Sequence, residues 1–180
     1  MRRILELGCG KKPYQPKIGE EVIHLDIVKL PHVEVVWDLN RIPYPFPDNY
    51  FDEVIATHVL EHLDDIVCVM KEIWRILKPN GILKITSPHF SNYDAFRDPT
   101  HKHFFTFETF DYFEPSSKLH KEFGFYLGRE VAFKIRFKEA RFIKNMKVRF
   151  KNSLIMRLYE MFLSRIFPTI EMYIEMEAIK

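Results

Sequence analysis

The sequence predicts an α/β fold built on a mostly parallel sheet. Three observations carry this. Short apolar runs recur along the first half of the chain, and a run with three-to-four spacing stands between two of them. Two glycines, Gly8 and Gly10, follow the first run closely. The composition, 47% apolar and 15% aromatic over 180 residues, is that of a globular chain with a real core.

The elements follow in order. "RILEL" (Arg3 to Leu7), "VIHLDI" (Val22 to Ile27) and "VEVVWDL" (Val33 to Leu39) read as strands. Pro43, Pro45 and Pro47 make the next stretch a loop. A fourth strand ends near Thr57. The clearest helix has Ile66, Val69, Met70, Ile73, Trp74 and Leu77 on one face. Asp64 or Asp65 can cap its start, and Pro79-Asn80-Gly81 is expected to stop it. "GILKITS" is a fifth strand. "PHFSNYDAFRDPTHKHFF" is a long polar-aromatic loop, and "TFETFDYF" a short helix. "REVAFKIRF" alternates like a strand. Phe150, Leu154, Leu158, Phe162 and Ile166 predict an amphipathic helix, expected to lay this stripe on the sheet or a dimer interface. "MYIEMEAI" is the last strand.

Pro13, Pro16 and Gly19 disfavour a helix between the first two strands. Only "VKLPH" separates the second strand from the third, too little for a helical crossover. The sheet is therefore expected to lack helices near its first edge.

Charge is uneven. From Arg129 to Phe167 there are 11 Lys/Arg and 3 Asp/Glu, a local +8 in a chain whose net charge is +2. That asymmetry allows an anionic partner, RNA or a membrane surface through residues 134–167, or simply a solvated face. Arg157, Glu160 and Arg165 interrupt the apolar C-terminal stretch, so no spanning helix is expected there. No apolar run follows Arg2 and Arg3, so no signal peptide is read. The two cysteines imply reduced thiols and a cytoplasmic setting.

The glycine loop carries the chemistry. Gly8 and Gly10 permit close approach of a ligand to backbone. A dinucleotide loop would place a third glycine at position 13, before a helix that receives phosphate, but position 13 is proline. Glu6 would repel phosphate and attract an amino group. Asp26, at the end of the second strand, can accept two ribose hydroxyls. Asp38, at the expected end of the third, can meet a base amine. A ribose, a base amine, a cationic amino group and no phosphate describe S-adenosylmethionine.

"LELGCG", "HLDI", "VVWDLN", "PFPDNYFDEVIATHVLEHL" and "ILKPNGILKITSPH" resemble successive motifs of class I S-adenosylmethionine-dependent methyltransferases, most closely the small type-11-like group. The resemblance runs from Ile4 to about His89. It implies a Rossmann-like fold and an enzyme using S-adenosylmethionine. It also implies that Glu6, Gly8 and Gly10 line the methionine end, Asp26 binds the ribose, and Asp38 and Leu39 meet the adenine. His58 would lie near the methyl group. Lys12 replaces a glycine usual in the family. A single domain, 1–180, is expected, with a cofactor-binding half at 1–89. The substrate-side half, 90–180, would carry an inserted C-terminal helical cap at about 138–169.

A sulfonium methyl is already activated, so the protein must chiefly align an acceptor. A base matters only for an acceptor of high pKa. His58, His62, His89, His101 and His103 are candidates. "DPTHKHFF" concentrates Asp98, His101 and His103, and His101 is the expected acid/base or acceptor contact, with His58 beside the cofactor. The bland reading has Asp98 and His101 anchoring a loop. No N/D-P-P-Y motif of amino-methylating nucleic-acid enzymes is present. The expected acceptor is a small molecule or an envelope-type glycan or lipid. Three rivals remain: a binding module without catalysis, a dehydrogenase sharing the loop, and a zinc peptidase through "HVLEH", which matches H-x-x-E-H from His58 to His62. No resident metal is expected.

Overall fold

The computed structural model describes residues 1–127, 131–142, 146–150 and 153–180, without the side chain of Ser153. Its strands are β1 (Arg2–Leu7), β2 (Glu20–Asp26), β3 (Val35–Val36), β4 (Phe51–Thr57), β5 (Leu77–Pro88), β6 (Ala132–Arg141), β7 (Lys147–Phe150) and β8 (Glu171–Ile179). Its α-helices are α1 (Ile66–Ile76), α2 (Asp94–Arg97), α3 (Lys118–Phe123) and α4 (Ser153–Leu158). The strands form one sheet in the order β3-β2-β1-β4-β5-β8-β6-β7. The first five are mutually parallel. β8 enters antiparallel between β5 and β6, and β7 pairs antiparallel with β6. The expected α/β class holds.

The bare first edge is also as expected. No helix occurs between β1 and β2 or between β2 and β3. The Glu6 carboxylate replaces some of the missing order by accepting the Tyr14 N–H at 2.9 and 3.0 Å. The short connection to β3 leaves that strand two residues long. The predicted strand over Val33 to Leu39 is corrected accordingly, because the edge strand pairs only with Leu25 and Asp26. Asp38 lies in the turn beyond β3, where its Oδ1 accepts the Asn40 N–H at 3.0 Å.

α1 forms because its apolar side is continuous and its first turn is capped. Asp65 Oδ1 accepts the Cys68 N–H at 2.9 Å. Val69, Met70, Ile73 and Ile76 are buried in the core with Leu5, Phe51, Val54 and Leu83 of the sheet. The helix ends at Ile76, ahead of the expected Pro-Asn-Gly stop. Leu77 already pairs with Phe51, and a register shift follows before Glu53 meets Ile82. Asn80, with φ +61°, lies in that irregular stretch.

The C-terminal region departs most from expectation. The predicted helix from Phe150 to Ile166 divides. Phe150 ends β7, α4 follows at Ser153–Leu158, and a wide π turn spans Tyr159–Leu163. The region 138–169 is thus part sheet and part helix, since β6 and β7 occupy its first portion. Met156 and Tyr159 turn inward to the core. Leu154, Leu158, Phe162 and Ile166 are 46% to 68% exposed, so the stripe does not pack on the sheet. Arg129, Lys144 and Lys151 of the basic segment lie outside the described residues.

Most described cations of that segment meet acids. Arg136 pairs with Glu177, Lys138 with Asp111, Arg149 with Glu139 and Arg157 with Glu108. Arg141 reaches both Glu139 and Glu171. Five of the eight described cations of the segment are thus paired, which weakens the support for a purely electrostatic binding module.

Candidate active site

The C-terminal ends of β1, β2 and β4 lie side by side. Gly8 and Gly10 follow β1 with φ of +60° and +55°. A side chain at Gly8 would lie 2.6 Å from Val59 Cγ2, whereas one at Gly10 would meet nothing within 4 Å. The loop is therefore packed at its first glycine and open at its second, the form a cradle for a ligand needs. Asp26 ties the loop to β2. Its Oδ2 accepts the Gly10 N–H at 2.9 Å and its Oδ1 the Val28 N–H at 2.9 Å. Each oxygen keeps a second lone pair for a hydroxyl.

Glu6 sits differently from the sequence expectation. It is buried, holds the Tyr14 backbone and contacts His24 Nδ1 at 2.8 Å. It shapes the loop from beneath. Cys9, inside the loop, has its thiol pushed up to about 11 by burial and by Asp26 and Glu6, so it is no nucleophile. Leu39 is buried, and its carbonyl accepts the Tyr44 hydroxyl at 3.1 Å. Asp38 remains partly exposed beside it.

A second concavity, about 510 Å³, opens beyond β4 and β5. His58, Glu61, His62, Asp98, His101 and Glu171 are among its walls. His58 has φ +51°, and its N–H donates to Thr86 O at 2.8 Å, turning the chain sharply after β4. Its ring lies between Glu171 Oε1, 2.9 Å from Nε2, and Glu61 Oε1, 3.4 Å from Nδ1. The hydrogen bond to Glu171, then the close ionic contact with Glu61, raises its pKa from 6.5 to about 9. This pairing favours the protonated ring near neutral pH and disfavours a base role for it there. Glu171 was not visible as a partner in the sequence, being 113 residues away.

His101 is mostly buried, and its Nδ1 donates to Ala95 O at 2.8 Å. Asp98 Oδ1 accepts from Thr100 N at 2.9 Å and Thr100 Oγ1 at 2.7 Å. These contacts anchor the loop as the bland reading had it, yet they also aim His101 into the concavity. His89 is fully buried between Ser91 Oγ and Glu160 Oε1, so it is structural. His103 stacks on Phe105 at 6.0 Å.

The H-x-x-E-H reading fails on geometry. His58 follows a strand with a left-handed backbone, and His62 belongs to a short 3-10 turn, Leu60–His62. The pattern is not on an α-helix, so it does not present two histidines one turn apart.

Comparison with known proteins agrees with this geometry. Residues 5–85 match the family model described as a methyltransferase domain, Methyltransf_11. A probable S-adenosylmethionine-dependent methyltransferase of Mycolicibacterium smegmatis is 29% identical over 109 residues, 54% of this chain and 42% of that protein. A demethylmenaquinone methyltransferase of Geobacillus stearothermophilus is 39% identical over 69 residues, 37% of this chain and 27% of that one. The matched part is thus less than half of these curated relatives. A crystal structure of an S-adenosylmethionine-dependent methyltransferase from Archaeoglobus fulgidus covers 98% of this chain and 86% of its own, with 25% identity and a TM-score of 0.60. The fold is that of class I S-adenosylmethionine-dependent methyltransferases. Residues 5–85, just under half of the chain, are similar to the type-11 group. The cofactor of that class is S-adenosylmethionine, and the open Gly10 cradle locked to Asp26 fits it.

Proposed function

We propose that the chain transfers a methyl group from S-adenosylmethionine to an apolar small molecule or a lipid-linked acceptor. One observation carries the reading: the glycine loop locked to Asp26 and the concavity around His58 and His101 open at the same end of the parallel strands. Gly8, Gly10 and Asp26 would hold the methionine and ribose portions. Asp38 and the Leu39 backbone would meet the adenine. The cofactor supplies an activated methyl group, and the acceptor must lie in line with it. His101 would contact the acceptor through Nε2, since its Nδ1 hydrogen is already donated. His58 would hold Glu61 and Glu171 in place rather than move a proton.

The acceptor class rests on the rim. Tyr93, Phe96 and Phe104 are exposed, and Phe96 stacks on Phe104 at 4.4 Å. Ile166 and Phe167, also exposed, lead to Ile170 in the wall. Exposed apolar side chains next in the chain to the lining of a polar cavity suit an apolar acceptor with one polar reacting group. Relatives named as a demethylmenaquinone methyltransferase and a ubiquinone biosynthesis O-methyltransferase favour a small-molecule acceptor. We read 1–180 as one domain, with the cofactor half at 1–89 and the acceptor half at 90–180. A cytoplasmic site is supported by the free thiols Cys9 and Cys68.

Isothermal titration with S-adenosylhomocysteine, with NAD as control, tests the reading. Binding of the first alone is expected. Asp26→Ala should weaken it about tenfold or more, the worth of a charged hydrogen-bond acceptor. Intact affinity in that variant would overturn the ribose assignment.

A further inference from the structure

One ligand atom from each of Glu61, His62 and His101 lies within 4.8 Å of the others. We propose that these three side chains form a divalent-cation site on the floor of the acceptor concavity. The proposal deepens the methyltransferase reading by giving the acceptor an electrophilic anchor.

Two histidines and one carboxylate suit Zn²⁺ or a similar borderline cation and leave coordination positions open. The hydrogen bonds set the rings for it. His101 Nδ1 donates to Ala95 O at 2.8 Å, which leaves the Nε2 lone pair of the neutral ring free. Thr100 Oγ1 donates to Asp98 Oδ1 at 2.7 Å and so accepts from His62 Nδ1 at 2.9 Å. The His62 Nε2 lone pair is thereby left as well. Metal-binding imidazoles are commonly fixed in this way, by a carbonyl or a carboxylate behind the ring.

The carboxylate gives the independent observation. Glu61 is 1% exposed, and its Oε1 has no hydrogen-bond partner among the described residues. The nearest cation, His58 Nδ1, is 3.4 Å away. His58 offsets part of the carboxylate's charge but does not meet it with a hydrogen bond, so this buried oxygen keeps lone pairs that a cation in the concavity could take. Glu61, Asp94, Asp98 and Glu171 line the space against His58 and Arg97, so the walls carry an excess of negative charge. This site shares only Glu61 and His62 with the H-x-x-E-H pattern and does not use His58.

An acceptor oxygen would take an open position on the cation. The loaded His101 ring would then hold the metal and could not accept a proton. The proposal therefore favours an acceptor whose oxygen is bound by the metal over one deprotonated by His101.

The test is calorimetric titration of the chelator-stripped chain with Zn²⁺, beside His62→Ala, His101→Ala and Cys9→Ser. The last controls for a second cluster, Glu6, Cys9 and His24, whose ligand atoms also approach one another. One equivalent is expected, weakened at least about tenfold in each histidine variant and unchanged in Cys9→Ser. A Co²⁺ spectrum should show d–d bands without thiolate charge transfer. No binding at about 100 µM Zn²⁺, well above the Kd of a built site, overturns the proposal. So does binding that survives loss of both histidines or disappears with Cys9. S-adenosylhomocysteine titration of the same samples reports their fold. If the wild type binds zinc and not S-adenosylhomocysteine, the methyltransferase reading fails and the metal site stands.

Discussion

His58 sits between Glu171 Oε1 at 2.9 Å and Glu61 Oε1 at 3.4 Å, and those neighbours decide its chemistry. Its folded pKa of about 9 lies above the ordinary 6.5. Its contribution to stability is therefore complete below about pH 6.5 and is lost as pH rises through about 9. Glu171 is held below its ordinary value mainly by His58, so its contribution fades as pH falls through the carboxylate range. His58→Gln should lower the Tm most near pH 6, with the gap to wild type closing above about pH 9. Half-exposure of the ring limits the loss to about 1 kcal/mol or less. A gap that widens with rising pH, measured by thermal melts in a pH series, would refute the pairing.

At the scale of the element, the glycine loop and the C-terminal helix make contrasting predictions. Gly8→Ala forces a Cβ to 2.6 Å from Val59 Cγ2 at a left-handed backbone. It should cost about 2 kcal/mol or more. Gly10→Ala meets the same backbone strain but open space. It should cost about 1 kcal/mol, less than Gly8→Ala, while still weakening S-adenosylhomocysteine binding. Urea titration and calorimetry on both variants separate the two effects. In the segment from Ser153 to Leu163, Met156 is 1% exposed and Phe162 is 64% exposed. Met156→Ala should lose about 2–4 kcal/mol, and Phe162→Ser should stay within about 0.5 kcal/mol. Equal losses would mean that the sequence's apolar stripe is buried after all.

For the whole molecule, charge compensation is the deciding feature. Acids on β6, β8 and the segment 108–111 meet five of the eight described cations of the basic segment. The chain should therefore elute from immobilised single-stranded RNA at or below about 0.15 M salt, where exposed charges are screened beyond about 8 Å. Retention to much higher salt, with a steep dependence of affinity on salt, would show a surface that these ion pairs do not describe.

The first strands along the chain, the glycine loop and α1 were legible because their signals are local. Apolar runs, Gly8-x-Gly10, Asp26 after β2 and the capped α1 each depend on neighbours along the chain. The missing first helices were legible for the same reason, since Pro13 and Pro16 act on their own backbone. What the tertiary structure alone decided depends on residues far apart in the chain. Glu171 meets His58 across 113 positions, and Thr100 orients His62 across 38. The fourfold spacing from Phe150 to Ile166 misled, because β6 captures the chain through Phe150 and the turn at Tyr159 resets the helix phase. Periodicity states that one face is apolar. Only packing determines whether that face is covered.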